Sequence, residues 1–288
     1  MTTPDFDKAA TFLAANARVL DICRFERLFR GGDAAPLRAA VAAYRNQDGG
    51  FGHALEPDLR VPASQPAALA MALRVMDEAD CWDEDLVRGG CDWLVSVAPA
   101  EGGVAFAMPD LDGGAHAPWW VAPDGNTASP IATGMIAGRL HARGFSHPWL
   151  DRATETMWTL IDELTSPGPY DMFGVLDFLQ HVPDQDRARA IVDRLGKLML
   201  DGNLVTLDPD AEGEVHSPLD YAPDPDSLAR VLFDEPVIEA HLDHLAAAQL
   251  DDGGWTFNWL AWSPAAELDW RGSVTVDALR VLRANNRL

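Results

Sequence analysis

The chain reads as a run of helical patterns punctuated by glycine and proline, and two kinds of pattern alternate. The first kind has one apolar stripe and one charged face. In "PLRAAVAAYRN" Leu37, Val41 and Tyr44 fall at i, i+4 and i+7, with Arg38 and Arg45 off the stripe. "DRARAIVDRLGKLML" repeats this with Ile191, Leu195 and Leu198, and "PVIEAHLDHLAAAQL" with Ile238, Leu242 and Leu245. The second kind has little polar face: "PAALAMALRVM" (66–76), "SPIATGMIAGRL" (129–140) and "DMFGVLDFLQ" (171–180). A helix that is apolar all round must be buried on all sides. Surface helices alternating with buried ones predict two concentric rings. With an N-terminal pair at 6–16 and 19–29, the pattern predicts about twelve helices in an all-α (α/α)6 toroid, about six outer and six inner.

Gly-Gly phrases mark the places where a surface helix ends and the chain must turn inward. Gly49-Gly50 follows a helix predicted over 36–46, and Glu101-Gly102-Gly103 one over 84–97. Asp201-Gly202 follows 185–200, and Gly253-Gly254 follows 236–249. Helix C-termini favour a left-handed residue that glycine adopts cheaply. The aromatic after two of these corners, Phe51 or Trp255, is expected to pack against the next outer helix.

Composition narrows the class. The 288 residues are 48% hydrophobic and 23% charged, with no Ser/Gly-rich or Pro-rich linker, so residues 1–288 are read as one domain. A net charge of −23 removes nucleic acid from the partners, because phosphate binding needs clustered Lys and Arg. The N-terminus has no basic region followed by an apolar one, so no signal peptide is expected. No stretch of ~18 apolar residues predicts a membrane span. Cys23, Cys81 and Cys91 lack CxxC spacing and read as buried thiols of a reducing, cytoplasmic compartment.

At the corners the motif becomes specific. Gln-x-x-Asp-Gly-Gly-Trp at 249–255 resembles the Gln-Trp repeats of squalene–hopene cyclases and other class II terpenoid cyclases. "NQDGGFG" at 46–52 is similar to the repeat in the β-subunits of protein prenyltransferases. Both families share the α/α toroid. The resemblance implies a small apolar or prenyl substrate, and a magnesium ion if that substrate is a diphosphate. Class II cyclases protonate an alkene or epoxide with the middle acid of an Asp-x-Asp-Asp motif. The nearest stretch here is "YAPDPDSLARVLF" (221–233), which puts Asp226 on the protonating position, Asp224 on its partner, and Ser227 in place of the last acid. The same residues also read as an ordinary N-cap of a short apolar helix. The prenyltransferase zinc does not carry over: Asp80 and Cys81 adjoin, but no His stands at a partner position, so no metal ligand is assigned. Such cyclases close their site with a second helical domain. Here the long loops, or a second subunit in a homodimer, would have to do so.

Further candidates lie beside the corners. "FGHALEPDLR" places His53, Glu56 and Asp58 after the first corner, where they suit acid/base work or a metal. Arg60 suits an anion such as a diphosphate. The alternative is a salt-bridged loop that stiffens the corner. Two long connections, 108–130 and 254–273, carry Trp119 and Trp120, and Trp255, Trp259, Trp262 and Trp270. Loops of such length commonly cover active sites, and their indoles are candidate walls for an isoprenoid or stacking surfaces for a sugar. Three functions therefore stay open: an enzyme acting on an isoprenoid with Asp226 as acid, a carbohydrate-active α/α-barrel enzyme, and a non-catalytic binding protein that retains the fold.

Overall fold

The computed structural model describes residues 3–288. Among these there are twelve α-helices, one 3-10 helix and no strand. The helices are α1 Phe6–Asn16, α2 Val19–Arg30, α3 Ala34–Ala42, α4 Pro66–Glu78, α5 Glu84–Val97 and α6 Pro130–Ala142. They continue as α7 Pro148–Glu163, α8 Pro169–His181, α9 Gln185–Asp201, α10 Pro218–Tyr221, α11 Glu235–Ala247 and α12 Pro264–Ala284, with the 3-10 helix at Leu228–Leu232. None of these helices is long and apolar enough to cross a membrane.

Local chemistry sets the helix starts. Proline occupies the first turn of α4, α6, α7, α8 and α12, where its missing N–H costs nothing. Side chains of Asp5, Asp83 and Ser263 accept first-turn N–H groups of α1, α5 and α12.

The chain divides into two compact units, one formed by Met1–Asp33 with Ile191–Leu288 and the other by Ala34–Ala190. In the second, α6 and α8 lie side by side and parallel. Gly134 faces Gly174, and Gly138 faces Asp177 one turn further along. Side chains there would strike the opposing backbone, so glycine lets the two helices approach closely. Helix α4 flanks α6, while α5 and α7 pack on each other and on that layer. The helices read as apolar all round, α4, α6 and α8, bury Leu69, Leu73, Met76, Ile136, Leu140, Val175 and Leu179.

In the first unit, Arg24 of α2 reaches Asp277 of α12 at 2.8 Å, and Arg283 bonds the Leu28 carbonyl. Its core gathers Phe12, Leu13, Phe25, Trp255, Val276 and Leu279. Arg24 and Asp21 are themselves fully buried, tied to each other, to Arg18 and to Asp277.

Four expectations need correction. The helix expected over 36–46 ends at Ala42, because Arg45 pairs with Phe51 across the corner and the Tyr44 carbonyl accepts from Gly52 N–H. The turn after α9 puts Asn203, not Gly202, in the left-handed region (φ 52°), a conformation that asparagine tolerates. The short helix after Asp226 is a single 3-10 segment. Trp270 belongs to α12, not to a loop, because Ser263 and Pro264 start that helix earlier.

Candidate functional site

The first corner is built by short polar side chains. Asn46 N–H donates to the Gly50 carbonyl at 2.8 Å, and Gly49 takes φ 94°. Asp48 Oδ1 accepts from Gly50 N–H at 2.9 Å and from the Ser64 hydroxyl at 2.7 Å. Asn46 Nδ2 donates to the Pro62 carbonyl at 2.8 Å, and its Oδ1 meets His53 Nε2 at 2.8 Å. The corner is thereby stapled to the loop that returns from it.

That loop is unusual. His53 and Ala54 take φ 57° and 64°, two successive non-glycine residues in the left-handed region. Each such residue costs about 1–2 kcal/mol, and strain of this kind clusters at functional sites. Beyond it Glu56 and Asp58 are 7% and 4% exposed. Carboxylates are seldom buried so deeply.

The long loop between α5 and α6 folds back along this stretch. Arg60 N–H donates to the Ala115 carbonyl at 2.9 Å, and Ala117 N–H donates to the Asp58 carbonyl at 2.8 Å. Leu59 and His116 form an isolated antiparallel bridge. Four residues beyond His116, Trp120 stacks on Phe106 with centroids 4.7 Å apart and planes 6° from parallel. Gln65, which precedes α4, accepts Met108 N–H on Oε1 at 2.9 Å. Within one unit, then, the two paired loops carry a strained, exposed histidine, two buried acids, a buried amide and a stacked aromatic pair.

The candidates from sequence divide between the units. His53, Glu56, Arg60, Trp119 and Trp120 share the two paired loops. Arg60 is half-buried with Nη1 3.4 Å from the Pro57 carbonyl, and Trp119 is exposed. Asp224, Asp226, Trp255, Trp259 and Trp262 lie in the other unit. Asp226 stands exposed in the turn before the 3-10 helix, while Asp224 is held by Arg280 at 2.8 and 3.0 Å. Trp255 is a core residue, donating from Nε1 to the Leu245 carbonyl at 2.8 Å. Trp259 stacks on Phe257 at 4.5 Å and meets Trp270 edge-on at 5.1 Å, with Trp262 half-buried nearby in the chain. Among the described residues no group of three or more His, Cys, Asp or Glu side chains is placed to hold a metal ion.

Sequence reasoning passed over Gln65 and Phe106. Gln65 carried one usable signal, a polar residue directly before the Pro66 that opens an apolar helix. Its partner Met108 is distant in sequence, and nothing in the periodicity links the two. Phe106 gave no signal apart from its place in a long loop.

No family model matches the chain, and no curated protein matches it. Among solved structures, the chain is similar to a protein from Actinoplanes, with 17% identity and a TM-score of 0.62. The similarity covers 97% of this chain and 98% of that one. At that identity it bears on the fold alone.

Proposed function

We propose that this chain is an α/α-toroid protein of the terpenoid cyclase and prenyltransferase type. In this reading its site takes a small, mainly apolar molecule, and Glu56 and Asp58 supply the acid–base chemistry. The observation that carries the reading is the burial of these two acids in the loop paired with the strand-like stretch that leads to Trp120. A carboxylic acid that protonates carbon must be kept from water, since burial disfavours its charged form. Asp226 lacks that burial, and Asp224 is already engaged by Arg280. The Gln-Asp-Gly-Gly-aromatic corners supply the link to the superfamily, and the alternation of helices supports the toroid.

The test is a stability screen with prenyl diphosphates, squalene-like hydrocarbons and oligosaccharides, followed by product analysis. A ligand in 100-fold excess over its Kd raises apparent stability by about 2.7 kcal/mol. The isoprenoid arms should stabilise the protein, and Glu56→Gln should retain that binding while losing product. Stabilisation by oligosaccharides alone would move the reading to carbohydrate chemistry. Binding without turnover in the wild type would leave a binding protein.

A further inference from the structure

The two paired loops also hold a feature that general acid–base chemistry does not use. Gln65 is 0% exposed. Its backbone N–H is spent on the Phe51 carbonyl and its Oε1 on Met108 N–H. That second bond fixes the amide orientation, because the flipped group would set NH2 against N–H. Nε2 is buried, with no hydrogen-bond partner among the described residues. Trp120 is 7% exposed, and its Nε1–H is likewise buried without a partner. Buried donors left unsatisfied are rare in native interiors. These two are tied to neighbouring points of one segment: Gln65 is bonded to Met108, and Trp120 is stacked on Phe106, two residues away.

We infer that Gln65 Nε2 and Trp120 Nε1 form a donor pair that binds a neutral oxygen, a hydroxyl or carbonyl, on an otherwise apolar substrate. The inference deepens the reading of the same site proposed above and rests on it. Both groups can only donate here, so the complementary ligand atom is an acceptor. Both donors are uncharged and the chain carries a net charge of −23, which disfavours an anion and selects a neutral oxygen over a diphosphate. The stacked faces of Phe106 and Trp120 provide an apolar surface beside it.

The test uses a matched fifteen-carbon series, farnesene, farnesol, farnesal and farnesyl diphosphate, with an oligosaccharide arm, titrated calorimetrically. The wild type should bind the alcohol and aldehyde about ten-fold more tightly than the hydrocarbon, the preference that about one net hydrogen bond supports. Gln65→Glu keeps the acceptor for Met108 but replaces the donor, and should abolish the preference. Trp120→Phe keeps the ring and should reduce it. Each variant is read by its own ratio of alcohol to hydrocarbon affinity, and unchanged far-UV circular dichroism shows that both remain folded. Equal binding of alcohol and hydrocarbon overturns the donor pair and leaves the apolar-substrate reading standing. Tightest binding of the diphosphate overturns the neutral-oxygen assignment. Oligosaccharide binding that depends on Gln65 and Trp120, with no isoprenoid bound, keeps the donor pair and removes the isoprenoid reading. No binding in any arm overturns both.

Discussion

Asp177→Asn should reverse an electrostatic penalty built into the parallel helix layer. Asp177 of α8 meets Arg139 of α6 through two contacts, Oδ1 to Nη2 at 2.7 Å and Oδ2 to Nε at 3.1 Å. The same arginine serves Asp77 of α4 at 3.0 Å, and Asp77 also takes Arg143, which reaches Asp80. Glu78 is shared with Arg74, and His181 stands 3.9 Å from Asp177. The Asp177 side chain is 14% exposed. Burial pushes its carboxyl up from 3.8 to about 6; Arg139 opposes this, and Asp77 and Glu78 reinforce it. The folded pKa lies above the unfolded one, so the native state binds the proton more tightly. Stability from this group is therefore present at low pH and is lost as pH rises from about 4 through about 6. The full rise corresponds to about 3 kcal/mol at neutral pH. Asparagine carries no such dependence. Urea titrations followed by far-UV circular dichroism at pH 4, 5, 6 and 7 should show the wild type losing about 2.4 kcal/mol relative to Asp177→Asn across that range, the rest of the difference lying below pH 4. A pH-independent offset from the lost two-point contact with Arg139 leaves the slope untouched. A constant difference across pH would refute the reasoning. So would a variant that loses ground as pH rises, because the Arg139 pair would then outweigh burial.

Three further substitutions test the packing of the units. Gly134→Ala would drive a Cβ into the backbone carbonyl of Gly174 and should cost about 3 kcal/mol in urea denaturation, whereas Gly213→Ala, with open space around it and φ 93°, should cost only about 1–2 kcal/mol of backbone strain. Arg24→Met strands the fully buried Asp21 beside a single remaining arginine and removes the Asp277 contact, so thermal and urea unfolding should show a loss of about 3–5 kcal/mol; a neutral outcome would mean that these charges are already solvated.

Most of the helices were legible because their signals are local. Pro at the first turn, an Asp or Ser cap, and an apolar run with or without a polar face depend on neighbours within one or two turns. One error came where a pairing across a corner overruled a helical pattern. Tyr44 sits on a good helical stripe, but the bridge of its neighbour Arg45 to Phe51 ends α3 early. The candidate site was legible to the same extent. His53, Glu56 and Asp58 stood out as a polar group in a loop, and Trp120 as a loop indole. What joins them is pairing between residues 58–60 and 115–117, and from Gln65 to Met108. Contacts of that separation leave no periodicity in the chain. Asp226 shows what a motif alone leaves out: the acid lies exposed in a turn.

The repeated Gly-Gly phrase separates the parts of the chain that hold the fold from those free to carry chemistry. Gly49, Gly102 and Gly253 take φ 94°, 105° and 92°. At each, the space for a Cβ is filled by a covering helix: Gly89 of α5, Arg152 of α7 and Lys8 of α1. Two of the three add the same aspartate device, Asp48 accepting from Gly50 N–H and Asp252 from Gly254 N–H. The following aromatic, Phe51 or Trp255, is buried in both. A corner so constrained leaves no side chain over for a ligand. The connections that leave the three corners are not constrained alike: α4 begins at Pro66, α6 at Pro130 and α12 at Pro264, so the loop after Gly103 is much the longest. That longest loop carries Phe106, Met108 and Trp120, and it pairs with the loop that holds the strained His53 and the two buried acids. The corners fix where the loops start and the proline-led helices fix where they end. Sequence between those points can change without moving either, and there the buried acids and the two unsatisfied donors are found.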